Sequence, residues 1–227
     1  MAWIVERCGL GPGAVVCDLA AGTGKLTRLL VPIGARVIAV EPIREMREQL
    51  VAAVAGVDAL DGTAESLPLE DAAVDCITVA QAFHWFDHAR ALPELGRVIR
   101  PGGGLAVLWN VRDDEDPLVA AVTELIAPFV PFEQGVERPW REPLEASTSF
   151  GEIEHRAFPF EQLLDADGLV ERVASISWIA RLDDDTRQGV LERIRKLGRA
   201  RAAPFSFPYV TEAFVCERLP DDRRERR

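Results

Sequence analysis

The chain has 227 residues, of which 48% are hydrophobic, a size that suits one large domain or a domain with an appended lobe. Lysine and arginine number 26 against 37 aspartates and glutamates, and the net charge of −11 argues against a nucleic-acid phosphate backbone as partner. The four cysteines form no Cys-x-x-Cys pair and read as small core residues. No uncharged apolar stretch is long enough to cross a bilayer, and MAWIVERCGLG is no signal peptide, so the expected setting is reducing and cytoplasmic, with no membrane partner.

Residues 14–19, AVVCDL, read as a short buried strand with β-branched Val15 and Val16. Small residues fill 20–24, and a helix is expected from Lys25, with Thr23 as its N-cap. Residues 36–40 form a second strand ending at Glu41-Pro42, after which Ile43, Met46, Leu50 and Val54 repeat at helical spacing. A weaker third strand covers 57–60, closed by Asp61-Gly62, and a fourth covers 74–79. Residues 88–99 are helical, with Leu92, Leu95 and Ile99 on one face. Pro101-Gly102-Gly103-Gly104 is expected to break that helix before a fifth strand at 105–109.

Beyond the fifth strand, Leu118, Val122 and Leu125 mark a helix ending near Pro128. Residues 128–143 hold four prolines and read as an irregular lobe. A late strand is expected at 153–160, a helix around Val190, Leu191, Ile194 and Leu197, and a last strand at 209–219. This alternation predicts an α/β fold with a doubly wound parallel sheet and right-handed crossovers. One domain spanning 1–227, with an insertion at 112–143 on the substrate side, is the simplest organisation.

A strand, a glycine turn and a helix N-terminus make a ligand cradle at the carboxyl end of such a sheet. Three ligand classes use one. A phosphate-binding P-loop is excluded, because its first glycine would fall at Leu19 and Leu26 follows Lys25. The dinucleotide fingerprint fits Gly22 and Gly24 but has Thr27 in place of its third glycine. The third class is S-adenosylmethionine, which carries no phosphate. Asp18 stands where its amino group would be met, unless Asp18 only caps the turn. Glu41, at the end of the second strand, is placed to accept hydrogen bonds from both hydroxyls of an adenosine ribose, which the nicotinamide dinucleotide shares. Met46 would lie against an adenine or in the core. Asp61-Gly62-Thr63-Ala64-Glu65 follows the third strand, where backbone groups at Thr63 and Ala64 would read the adenine edge.

Asp18 to Lys25, Glu41-Pro42, Gly62-Thr63-Ala64-Glu65, Gln81-Ala82-Phe83-His84-Trp85-Phe86, Arg100-Pro101-Gly102-Gly103 and Trp109-Asn110 occur in a familiar order and spacing. In them, and in Pro208-Tyr209-Val210-Thr211, the chain resembles the Rossmann-like S-adenosylmethionine-dependent methyltransferases, in a small-molecule branch with a His-Trp-Phe motif. The resemblance implies a seven-stranded sheet with its last strand antiparallel. It implies that Asp18, Gly22 and Gly24 hold the cofactor's methionine part, Glu41 its ribose, Ala64 and Glu65 its adenine, while Ala80 and Gln81 lie near the sulfonium. Ala20, Thr23, Pro42, Met46 and Thr63 complete the expected cofactor set. Members of that family carry a lid segment before the first strand. Met1 to Gly13 precede the strand here, so the resemblance implies that most of this lid is missing.

Methyl transfer from a sulfonium is an in-line displacement, so the protein chiefly aligns nucleophile, methyl and sulfur. His84 is the candidate base for a protonated acceptor. Phe83, Trp85 and Trp109 are candidate substrate contacts, Phe86 a further apolar wall, and Asn110 a candidate acceptor orienter. Phe129, Phe132 and Trp140 offer apolar surface for a small, partly apolar molecule. His84, Asp87 and His88 do not make a metal motif, and no metal is expected. Two rivals stay open: a nicotinamide-linked oxidoreductase, and a cofactor-binding protein without turnover.

Overall fold

A computed structural model describes residues 1–130 and 140–220. Its sheet has seven strands: β1 (Val15–Leu19), β2 (Arg36–Val40), β3 (Asp58–Leu60), β4 (Val74–Ala80), β5 (Ile99–Arg112), β6 (Glu154–Leu164) and β7 (Phe205–Glu217). Their order is β3-β2-β1-β4-β5-β7-β6, flanked by helices, with the last strand antiparallel. β1 pairs in parallel with β2 and β4, β2 with β3, and β4 with β5. The central strands are apolar along most of their length because helices cover both faces. In β1, only Val15 is not fully buried. The chain winds outward from β1 to β3 and then restarts on the other side of β1 with β4. The order therefore reverses between β1 and β4, and ligands of open α/β sheets bind outside the strand ends at such a point.

The helices of this half are α1 (Ala2–Arg7), α2 (Thr27–Leu30), α3 (Arg44–Ala53) and α4 (His88–Val98), followed by α5 (Pro117–Ile126). α5 starts as its residues dictate: Asp116 accepts hydrogen bonds from the Leu118 and Val119 N–H groups, and Pro117 takes the first turn, where no N–H is needed. Asp165 and Asp183 cap the helices Ala166–Ala174 and Asp184–Arg199 in the same way.

Two compact units emerge: Met1–Trp109 with Pro139–Arg156 and Glu212–Arg227, and Asn110–Arg138 with Ala157–Thr211. The core of the first includes Leu19, Val40, Ile77, Phe83, Leu95 and Leu105. The second has its own core, including Leu118, Val122, Leu169, Val173, Ile194 and Phe207. Of the expected insertion at 112–143, residues 112–130 belong to the second unit and 140–143 to the first. Phe132 lies outside the described residues. No helix among the described residues is long and apolar enough to cross a membrane.

Two sequence expectations are corrected. The first helix does not begin at Lys25 under a Thr23 cap. Gly22 and Gly24 have φ of 57° and 80°, left-handed values that hold the chain in turns, and α2 starts only at Thr27. α4 does end before Pro101, at Val98, but the fifth strand starts there and not at 105. β5 begins at Ile99 and runs through Pro101 to Gly104, because the glycines let the strand pass where side chains have no room. Its register against β4 shifts between Val74 and Cys76. A Cβ at Gly103 would lie 2.5 Å from the Asp75 carbonyl oxygen and 2.7 Å from Ile99 Cγ2.

Gly103→Ala is therefore expected to destabilise by about 1–3 kcal/mol in urea unfolding, since backbone must move to admit the methyl group. Gly189→Ala lies inside a helix with nothing within 4 Å of the new Cβ. It is expected to stabilise by roughly 0.5–1 kcal/mol in the same measurement.

Candidate cofactor and active site

The described residues include five buried polar or charged side chains: Asp18, Thr27, Glu41, Thr78 and Arg218. Four of them gather in and just beyond β1, β2 and β4, toward the strands' carboxyl ends. An acid buried there needs donors, because an unpaired buried charge is far too costly. Asp18 finds them inside the fold. The Thr27 hydroxyl donates to its Oδ2 at 2.6 Å, and the hydroxyl of its register partner Thr78 donates to Oδ1 at 3.3 Å. Burial still pushes the Asp18 carboxyl up to about 6. The Thr27 and Thr78 hydrogen bonds work against that rise, and the nearby Glu41 charge adds to it.

Glu41 is 4% exposed and bound to backbone. The Gly22 N–H donates to its Oε2 at 2.9 Å and the Ile43 N–H to its Oε1 at 3.0 Å. One carboxylate thus joins the glycine turn after β1 to the turn after β2. Each oxygen still has acceptor capacity for one more donor. Nothing stands within 4 Å of the place a Gly22 Cβ would occupy, so the space over this turn is open. Gly24 faces the other way, into Leu50 of α3 and Val54 just past its end, and fixes how closely the helix approaches.

Sequence reasoning missed Arg47. It lies on α3, its Nη1 donates to the Glu41 carbonyl at 2.6 Å, and its guanidinium pairs with Asp61. It clamps the turn after β2 to the one after β3. The signal was available: an arginine six residues past Glu41, on the helix that this turn starts. Thr27 and Thr78 were missed for a different reason. Their partner lies in the neighbouring strand or turn, which one-dimensional spacing does not reveal.

After β3, the Thr63 and Ser66 backbones exchange hydrogen bonds of 3.3 and 3.2 Å, with Ala64 buried between them. Burial works against the charged form of Glu65. Hydrogen bonding, led by the Asp87 N–H at 2.9 Å, outweighs it and holds that carboxyl below its usual range. Ala20, after β1, and Gln81, after β4, have φ of 53° and 60°. Such conformations cost about 1–3 kcal/mol each in residues with a Cβ and cluster at functional sites. A third, Ala72, sits in the turn before β4. Pro42 and Met46 are exposed; Ala80 and Thr23 are half-buried.

Beyond Gln81, the 3-10 turn Phe83–Trp85 carries the aromatic residues. Trp85 is 48% exposed, whereas Phe83 is fully buried against Phe86, His88 and Trp140. Phe83 is thus a core ring and presents no open face to an acceptor. The His84 ring lies between Trp85 and Trp109, with centroids 4.5 and 5.0 Å away. His88 is turned to the Phe83 carbonyl at 3.0 Å, and no group of three or more potential ligands able to hold a metal occurs among the described residues. Asn110 belongs to the second unit, where its Oδ1 accepts from the Thr211 hydroxyl at 2.8 Å.

A seven-stranded sheet with its last strand antiparallel, open over a glycine turn that an acid braces, defines the Rossmann-like methyltransferase class. The comparisons agree. A methyltransferase domain model matches residues 17–107. An uncharacterised methyltransferase of Mycobacterium tuberculosis is 40% identical over 208 residues, covering 89% of this chain and 82% of the relative. A solved structure from Anaeromyxobacter dehalogenans, described as a type II methyltransferase, superposes with a TM-score of 0.73 at 26% identity, over 97% of each chain. A geranyl diphosphate methyltransferase in complex with SAM shares the fold, with a TM-score of 0.55 at 14% identity, over 96% of this chain and 84% of that one. The chain belongs to the methyltransferase family.

Asp18 binds its proton more tightly in the folded chain than in the unfolded one. Its contribution therefore favours folding at low pH and is lost as pH rises from about 4 to about 6. Asp18→Asn is expected to gain stability relative to the parent across that window. The gain should reach about 3 kcal/mol between pH 4 and pH 7 in paired urea titrations.

Proposed function

We propose that this methyltransferase uses S-adenosylmethionine as donor and transfers its methyl group to a small molecule. The observation that carries the reading is the Glu41 carboxylate, held by Gly22 and Ile43 under an open turn and with acceptor capacity to spare. Two adjacent ribose hydroxyls suit those two oxygens. A diphosphate does not suit this turn, where an anion would face the Glu41 and Asp18 charges. That electrostatic difference favours a phosphate-free, cationic donor over a nicotinamide dinucleotide.

The residues that would hold the donor are Asp18, Ala20, Gly22, Thr23 and Gly24 for its methionine part and Glu41 and Pro42 for its ribose. Met46, Thr63, Ala64 and Glu65 would take its adenine, and Ala80 and Gln81 its sulfonium. The group supplies a methyl already activated for displacement. The protein's share is placement and exclusion of water. His84 is held between two indoles, a position from which an imidazole nitrogen takes a proton from an acceptor hydroxyl, thiol or ammonium. Trp85 and Trp109 give the acceptor flat apolar walls, and a π face attracts any positive charge that it carries. Acidity around the glycine turn and the net charge of −11 favour a small substrate over nucleic acid.

Thermal unfolding with each ligand tests this directly. S-adenosylmethionine should raise the midpoint as RT ln(1 + [L]/Kd), and the nicotinamide dinucleotide should leave it unchanged. Glu41→Ala should weaken donor binding at least about tenfold, one lost charge-assisted bond being worth about 1.5–3 kcal/mol. Circular dichroism checks that this variant folds. Isotope-labelled donor incubated with protein and a metabolite extract should yield a labelled small molecule. Stabilisation by the dinucleotide alone would overturn the reading. Donor binding with no labelled product would favour a binding protein without turnover.

A further inference from the structure

Cys8 and Cys76 lie on one face of the sheet, while Cys17, next to the Val16 register partner of Cys76, is on the other with Cys216 in the main core. Cys8 follows α1, with its N–H on the Ile4 carbonyl at 2.9 Å. Its sulfur occupies the room that a side chain at Gly104 would need. A Cβ there would lie 2.7 Å from Cys8 Sγ and 3.3 Å from Cys8 Cβ. Gly104 is the register partner of Cys76 on β4, and register partners share a face of the sheet. Cys8 is thereby laid against Cys76, whose S–H donates to the Ile77 carbonyl at 3.5 Å. All four cysteines are buried and free.

We propose that Cys8 and Cys76 are an oxidation site, at which a hydroperoxide joins the segment after α1 to β4 through a disulfide. The pair is asymmetric. Interaction with the Cys76 thiol, with Arg7 close by, holds the Cys8 thiol below its ordinary range against the opposing effect of burial. The same interaction, with burial, pushes the Cys76 thiol up. Cys8 is therefore the nucleophile and Cys76 the resolving thiol. Burial pushes Cys17 up and Cys216 up to about 12, which makes both poor competitors. A cavity of about 250 Å³ lies beside the pair, lined by Arg7, the residue before Cys8, and by Gly104, the register partner of Cys76, among others.

The chemistry balances with the oxidant alone. The Cys8 thiolate attacks one peroxide oxygen, the O–O bond breaks, and the other oxygen leaves with a proton as water or alcohol. The Cys76 sulfur then displaces the hydroxyl from the Cys8 sulfenic acid, and the Cys76 proton leaves with it as water. Two thiols are oxidised and one peroxide is reduced. No residue of the glycine turn takes part, so this inference stands apart from the proposed function.

The test is peptide mapping of the intact protein after hydrogen peroxide, alkylation and tryptic digestion without reductant. Peptide 8–25 should be joined to peptide 48–90, with fragmentation placing the link at Cys8 and Cys76. Alkylation of both residues should fall together and return after dithiothreitol. Cys17→Ser should keep the link and Cys8→Ser should lose it. If either variant fails to fold, fragmentation of the parent peptide still separates Cys8 from Cys17. A link through Cys17 or Cys216, or Cys8 left free or carried to the sulfonate with no link, would overturn the proposal.

Discussion

A single carboxylate sets the geometry of the ligand end of this sheet. Glu41 accepts from the Gly22 and Ile43 N–H groups and so fixes two turns against each other. The backbone completes the tie: the Ala21 N–H donates to Val40 at 3.2 Å, and the Glu41 N–H to Leu60 at 3.1 Å. Arg47 adds the turn after β3 through the Glu41 carbonyl and Asp61. Three successive strand ends are thus held by groups that a hydrophobic core alone would not position. Gly22 is left with open space above it, at the place where the strand order reverses.

This end of the molecule also concentrates unfavourable energy. Asp18 is buried with its proton affinity raised, a second buried acid lies nearby, and Ala20 and Gln81 hold left-handed conformations. Each of these features opposes folding by about 1–3 kcal/mol, a sizeable share of a domain's net stability. The core of the first unit offsets them, with Phe83 beneath the aromatic turn rather than facing an acceptor. A site preorganised to meet a cation would show this pattern: negative charge held in a dry setting, stabilised only partly by the protein's own hydroxyls.

Much of this arrangement is legible in the residues. The period of the apolar runs located β1, β2, β4 and α3 closely, because central parallel strands are buried on both faces and read as short continuous runs. Glu41 stood out as an acid closing an apolar strand. Three things were hidden. Pro101 to Gly104 read only as a helix breaker, although Gly103 and Gly104 remove side chains from β5 where the Asp75 carbonyl and Cys8 crowd the strand. The Asp18, Thr27 and Thr78 cluster is a tertiary contact between strand, neighbour and helix, so no local spacing announces it. The second unit draws residues 110–130 together with 157–211, and its helices were seen only where an apolar stripe was regular. The capping aspartates Asp165 and Asp183 were the local signals available there.

The central claim is that the brace under Gly22 is the cofactor cradle. Backbone amide resonances report it most directly. On titration with S-adenosylhomocysteine, the Gly22 and Ile43 amide signals should shift, while those of Gly102 and Gly103 at the start of β5 should stay in place. Unmoved Gly22 and Ile43 signals at saturating ligand, or shifts confined to the start of β5, would contradict it.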